Sequence, residues 1–259
     1  MRASIRSLAT SSAVALFLTA CATGDATGPV ITEATLTADL AVLAANGVAE
    51  DVEMMGGPAG VHGLGLFGLP GAPLAARDFG CRALDRPNLA VTRECTFTDA
   101  AGATQASYDA QTTASIRIET EVDGNRSNDR WSATIDRHSD MTVTGLAGTE
   151  TQRTWNGTGS EEVSRSRHVD GQVARGYTME GTVTITNVVV PVPHGPGNWP
   201  LSGTIVRTIT GAITSGPRAG ESFTRTATIT FNGSSTVTMT VNGESFEVDL
   251  AARRAERRR

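Results

Sequence analysis

Asp136, His138 and Asp140 make the only short Asp/His cluster in the chain, and on an extended strand all three project from one side. An imidazole between two carboxylates could hold a divalent metal or act as an acid–base pair. Either task needs a further ligand or partner that this spacing does not supply, so a solvated strand end or bulge is the expected environment. Asp123, Asn125, Ser127 and Asp129 carry oxygen side chains at alternate positions, as the start of a calcium loop does. The glycine and glutamate that such a loop requires are replaced by Asn128 and Thr134, and Arg126 sits inside it, so a polar hairpin turn is expected instead. Arg175, Arg207 and Arg225 share the parity of apolar neighbours (Tyr177 and Met179; Ile205 and Ile209; Phe223 and Ala227). Pointing inward in a cupped sheet, they would form a candidate site for an anion or lipid headgroup; the alternative is that they lie at strand ends or pair with glutamates. Phe67 and Trp199 are the apolar members of that candidate ligand site. No nucleophile elbow, phosphate loop, dinucleotide fingerprint, paired-His zinc motif or haem attachment site occurs, and His62, His138, His168 and His194 are far apart. No catalytic residue, metal ligand or cofactor is therefore assigned, and an enzyme is disfavoured.

These residues need elements to position them. Leu36, Leu40, Leu43, Val48, Val52 and Met55 recur at helical spacing behind Thr35 or Thr37 as N-cap, which predicts an amphipathic helix over 36–55, or two short helices broken at Asn46-Gly47. Residues 56–76 are apolar yet dense in Gly and Pro, giving a loop that either dips into a membrane as a lid or packs as a connector. Residues 91–250 alternate Thr with Val and Ile in run after run, the period-two pattern of strands with one buried and one wet face. The wet face is largely threonine. Asp123-Gly124, Asn156-Gly157, Asp170-Gly171, Asn232-Gly233 and Asn242-Gly243 are the expected hairpin turns. The predicted fold is mainly β, an antiparallel meander of about eight to eleven strands forming a curved sheet or open barrel, with one N-terminal helix. It makes a single domain over 35–250. The Pro/Gly loop 191–200 exposes His194, with Trp199 expected to anchor it to the core, and the arginine-rich residues 251–259 read as a solvated basic tail.

Arg2 and Arg6, the apolar stretch Ala13–Phe17 and then Leu18-Thr19-Ala20-Cys21 follow the order of an export signal ending in a lipobox. In these residues the chain resembles bacterial lipoproteins, a likeness confined to its first 22 or so positions. The resemblance implies that residues 1–20 are a signal peptide, that Cys21 is lipidated and becomes the first residue, and that 21–34 are a flexible tether. The 15 uncharged residues from Leu8 to Ala22 are too few for a membrane-spanning helix, which needs about 20. Ala22 after the cysteine, where aspartate would signal inner-membrane retention, favours the outer membrane. In an exported chain the pair Cys81 and Cys95 is expected to be a disulfide. All 22 basic residues are arginine; with two in the signal and five in 253–259, the body is more acidic than the net charge of -5, which argues against nucleic acid as a partner. The expected function is a lipid-anchored cell-envelope protein with a non-catalytic β-rich binding module for a hydrophobic or lipid-like ligand. The alternative is an envelope scaffold that binds another protein through its threonine face or a sheet edge, and the least favoured is an envelope hydrolase around His138 or His194.

Overall fold

The computed structural model describes eleven positions between residues 37 and 55, Cys81, and residues 84–257 with gaps at 87, 129–130, 147, 170–171, 193–196, 217 and 253, all within the unit Ile31–Arg259. Period-two alternation of β-branched residues builds twelve strands. They are β1 (Leu84–Arg86), β2 (Leu89–Asp99), β3 (Thr104–Gln105), β4 (Thr113–Asn128), β5 (Trp131–Thr144), β6 (Gln152–Val169), β7 (Gln172–Pro191), β8 (Ser202–Ser215), β9 (Ser222–Thr230), β10 (Thr236–Val241), β11 (Glu244–Asp249) and β12 (Arg254–Arg257). Apart from β3, which adds to β2, every strand pairs antiparallel with its neighbours in sequence, and the path runs openly from β1 to β12. The expected meander is thus observed, as an open sheet rather than a closed barrel.

One face of the sheet is apolar. Ile116 and Ile118 of β4, Met141 and Val143 of β5, Val183 and Ile185 of β7, Ile205 of β8 and Ile229 of β9 are all buried on it. The helix α1, helical at each described position from 37 to 55, covers that face with Leu40, Ala41, Ala44, Ala45, Val48, Val52 and Met55. Gly47 is helical, while Asn46, the other half of the possible break, lies outside the described residues. Leu40 joins Val163, Met179, Ile209, Ile213 and Phe223 in one apolar cluster, while the rest of the helix joins a larger one. Burying this stripe, at about 25 cal/mol per Å² of apolar surface removed from water, is what holds a long sheet and a single helix together.

Only part of the turn expectation holds. Asn232-Gly233 and Asn242-Gly243 connect β9 to β10 and β10 to β11, and both glycines, with Asn242, take positive φ. Asp170-Gly171 falls between β6 and β7 but lies outside the described residues. Asp123-Gly124 instead runs through the middle of β4, opposite Asp136 and Ile135. Asn156-Gly157 sits inside β6, where the register to β7 shifts and the Asn156 side chain accepts the backbone N–H of Asn187 at 2.8 Å. That pair marks a bulge, not a turn. Strand pairing also begins at Leu84 rather than 91, and Arg254–Arg257, within the expected basic tail, adds β12 to the edge of β11. Both edges of the sheet are very short strands, which limits edge-to-edge association.

Gly157 is required for another reason. A Cβ there would lie 2.4 Å from the Asp140 carbonyl oxygen and 2.6 Å from Met141 Sδ. The nearer obstacle is backbone of the paired strand and cannot rotate away, so Gly157→Ala is expected to destabilise the protein by about 1–3 kcal/mol, read from the shift in denaturation midpoint. A variant as stable as the parent would show that β5 and β6 can separate at this point.

Candidate functional site

Arg207 stands on β8 between Ile205 and Ile209 and is 1% exposed. The parity that turns those isoleucines to the core turns the guanidinium there too, and a buried cation requires partners. Asp51 of α1 provides the first, hydrogen-bonding Arg207 Nη2 through its Oδ2, while its Oδ1 lies 3.5 Å from Arg137 Nη2 on β5. Glu161 of β6 provides the second, its Oε1 lying 3.6 Å from Arg207 Nη1. The same Nη2 donates to the Gly47 carbonyl of the helix at 3.3 Å. Glu161 and Arg207 are separated by β7, and the residue directly opposite Glu161 there is Gly181. A Cβ at 181 would approach Glu161 Oε1 to 2.8 Å, so the missing side chain leaves the passage through which the carboxylate reaches across the strand. Two cations and two anions thus form one neutral, buried cluster between helix and sheet.

The outer face is polar and regularly spaced. Register places Asp123 opposite Asp136, Asp136 opposite Glu162, and Glu162 opposite Glu180, so four carboxylates lie in a row across β4–β7. The row continues as Thr210 and Thr224 on β8 and β9, whose hydroxyls are 3.2 Å apart. Thr208 and Thr226 form a second hydroxyl pair, also at 3.2 Å. Asp136, Glu162, Glu180 and Thr210 line two adjoining grooves of about 450 and 310 Å³. Among the described residues none of the four carboxylates in the row has an ion-pair partner.

Two rows further along the same face the charges are matched. Arg117 binds both oxygens of Asp140, at 2.9 and 2.7 Å, and Glu119 at 3.0 Å. The Arg117 hydrogen bond holds the Asp140 carboxyl below the usual aspartate range. The stabilisation from this pair is therefore complete above the ordinary aspartate pKa and is lost as pH falls through the lower, folded value. Arg117→Ala is expected to move the Asp140 titration upward, measured from its carboxyl carbon shift by NMR; an unmoved titration would show that Arg117 is not the cause.

The residues singled out from sequence divide as follows. Asp136, His138 and Asp140 do share one side of β5, the outer one, but Asp140 is engaged by Arg117, and His138 lies exposed opposite Glu121 and Ser160. Among the described residues no group of three or more His, Cys, Asp or Glu could hold a metal ion. The polar hairpin turn expected over Asp123–Asp129 is corrected at 123–128, which is extended strand paired with β5 and no more an ion-wrapping loop than a turn. Of the arginine trio, Arg207 and Arg225 are described. Arg207 is occupied by Asp51 and Glu161, and the half-buried Arg225 donates to the Thr224 carbonyl at 2.8 Å. The side chain of Arg175, like Phe67 and Cys21, lies outside the described residues. Trp199 is half-buried and packs against the larger core cluster, the anchoring role expected of it. Cys81 and Cys95 form a disulfide. Asp51, Arg137 and Glu161 were not singled out, although the helical stripe for Asp51 and strand parity for the other two carried the same signal that marked Arg207. Half-buried Arg93 on β2, whose guanidinium is pushed down to about 10 by desolvation, was likewise missed. Comparison with known protein families, with curated proteins and with solved structures finds no match to this chain.

Proposed function

We propose that this is a lipid-anchored protein of the cell envelope whose β-rich body is a non-catalytic module that binds another protein through its outer face. The observation that carries the reading is the unmatched row Asp123, Asp136, Glu162 and Glu180. Like charges directly opposite one another on neighbouring strands are destabilising, by a few tenths of a kcal/mol to about 1 kcal/mol per pair. A chain with 22 arginines keeps this row uncompensated among its described residues while it neutralises Asp140 and Asp51. A local arrangement that works against the fold is characteristic of a surface kept for binding. Its complement is a basic, extended segment lying across the strands, with the neighbouring threonine hydroxyls supplying hydrogen bonds. The inner face supports the same choice, since α1 fills it and a hydrophobic ligand would have to displace the helix.

The test is photo-crosslinking in the envelope from a reactive residue at Thr182 or Thr208, which flank the carboxylate row. The expected result is a discrete protein adduct that weakens with added salt and disappears in Asp136→Asn/Glu162→Gln/Glu180→Gln, with the variant still folded. An adduct indifferent to both salt and charge would sink the electrostatic reading. No adduct, together with a stoichiometric lipid copurifying with the mature chain, would establish the hydrophobic-ligand carrier instead.

A further inference from the structure

The buried face of α1 nearly repeats itself every four residues. Ala41, Ala45 and Ala49 form one row and Ala44, Val48 and Val52 another, all of them buried. Sliding the helix by one turn, about 6 Å along its axis, superposes Ala45 on Ala41, Ala49 on Ala45 and Val52 on Val48. Over 41–52 the buried groups are small and aliphatic, so size distinguishes adjacent registers only where Leu40 and Met55 end the buried stripe. Asp51 breaks the degeneracy. It is the one charged residue among the described positions of the helix, and the observed register alone brings it to both Arg207 and Arg137. After a one-turn slip Asp51 would be buried away from both arginines, and Arg207 would lose its hydrogen bond to Gly47 as well.

We infer that the Asp51–Arg137–Glu161–Arg207 cluster is a register lock that fixes where the helix sits along the sheet. A buried ion cluster is a poor source of net stability compared with apolar groups of the same volume, but an unpaired buried charge penalises every alternative packing. Gly181 belongs to the device, because it admits Glu161 to Arg207.

The experiment places spin labels at Asn46→Cys, between the described helical positions Ala45 and Gly47, and at Thr210→Cys on the outer face of the full mature chain, and reads their separation by pulsed dipolar spectroscopy. The parent is expected to give one narrow distance. Moving the acid by one turn, with Asp51→Ala and Met55→Asp, is expected to give a folded protein with one displaced distance, the helix having slipped by about 6 Å to restore the contact. A charge-free variant, Asp51→Leu/Arg137→Met/Glu161→Met/Arg207→Met, is expected to give more than one distance. If the transposed variant keeps the parental distance, or unfolds, apolar packing sets the register and the inference is overturned. A folded charge-free variant with only the parental distance overturns it equally.

Discussion

Arg207→Met is expected to destabilise the protein by about 3–5 kcal/mol, the loss usual when one member of a buried ion cluster is removed and its partners stay behind. Methionine roughly fills the volume and suits the apolar surroundings of Ile205 and Ile209, so packing is not the main loss. What remains is the carboxylate of Glu161, with no other described cation within ion-pair distance, and Asp51 with only the longer contact to Arg137. Both are nearly inaccessible to water. The decisive measurement compares Arg207→Met with Asp51→Leu/Arg137→Met/Glu161→Met/Arg207→Met, which removes every member of the cluster, by denaturant unfolding. If the penalty is that of orphaned charge, this charge-free variant recovers most of the loss, a non-additivity that contacting groups show and distant ones do not. A single variant within about 1 kcal/mol of the parent would mean that water reaches the two carboxylates, and that the cluster is less sealed than its burial indicates.

The strands were legible in the sequence because alternation of Thr with Val and Ile records a sheet with one wet face. Arg207 was legible for the same reason: parity puts residue 207 on the face of 205 and 209 whatever its chemistry. Its partner was not, since Asp51 lies 156 residues away and no local pattern links them. The turn signals failed in an instructive way. Asp-Gly and Asn-Gly announce that the backbone can turn, not that it does, and Gly124 and Gly157 lie within long ladders whose many backbone hydrogen bonds decide the matter. At Asn156 the same local freedom was used for a bulge. The arginines of β12 read as a solvated charge run because composition does not record that β11 offers an unpaired edge, against which Ala255 registers with Val248. The outer carboxylate row was invisible for a related reason. Asp123, Asp136, Glu162 and Glu180 are ordinary surface acids on four separate segments, and only the register sets them side by side.

Removing the disulfide with Cys81→Ser/Cys95→Ser is expected to lower stability by about 3 kcal/mol, from the closure of a loop with a sequence separation of 14. Its position argues for a further effect. Cys95 lies on β2, and Cys81 lies just before β1, the three-residue strand that ends the sheet on that side. Leu84, Asp85 and Arg86 pair with Val91, Ala90 and Leu89, a ladder too short to hold the edge by itself. Without the crosslink β1 is expected to fray and bare the backbone of β2, so the serine variant should aggregate at concentrations where the parent stays monomeric. Denaturant unfolding with and without reductant gives the thermodynamic part, and hydrogen exchange at Ala90 and Val91 gives the local part. Equal midpoints in oxidised and reduced protein would remove the bond from any role in stability. A lowered midpoint with unchanged exchange at Ala90 and Val91 would confine its action to the unfolded chain and leave the edge held by β1 itself.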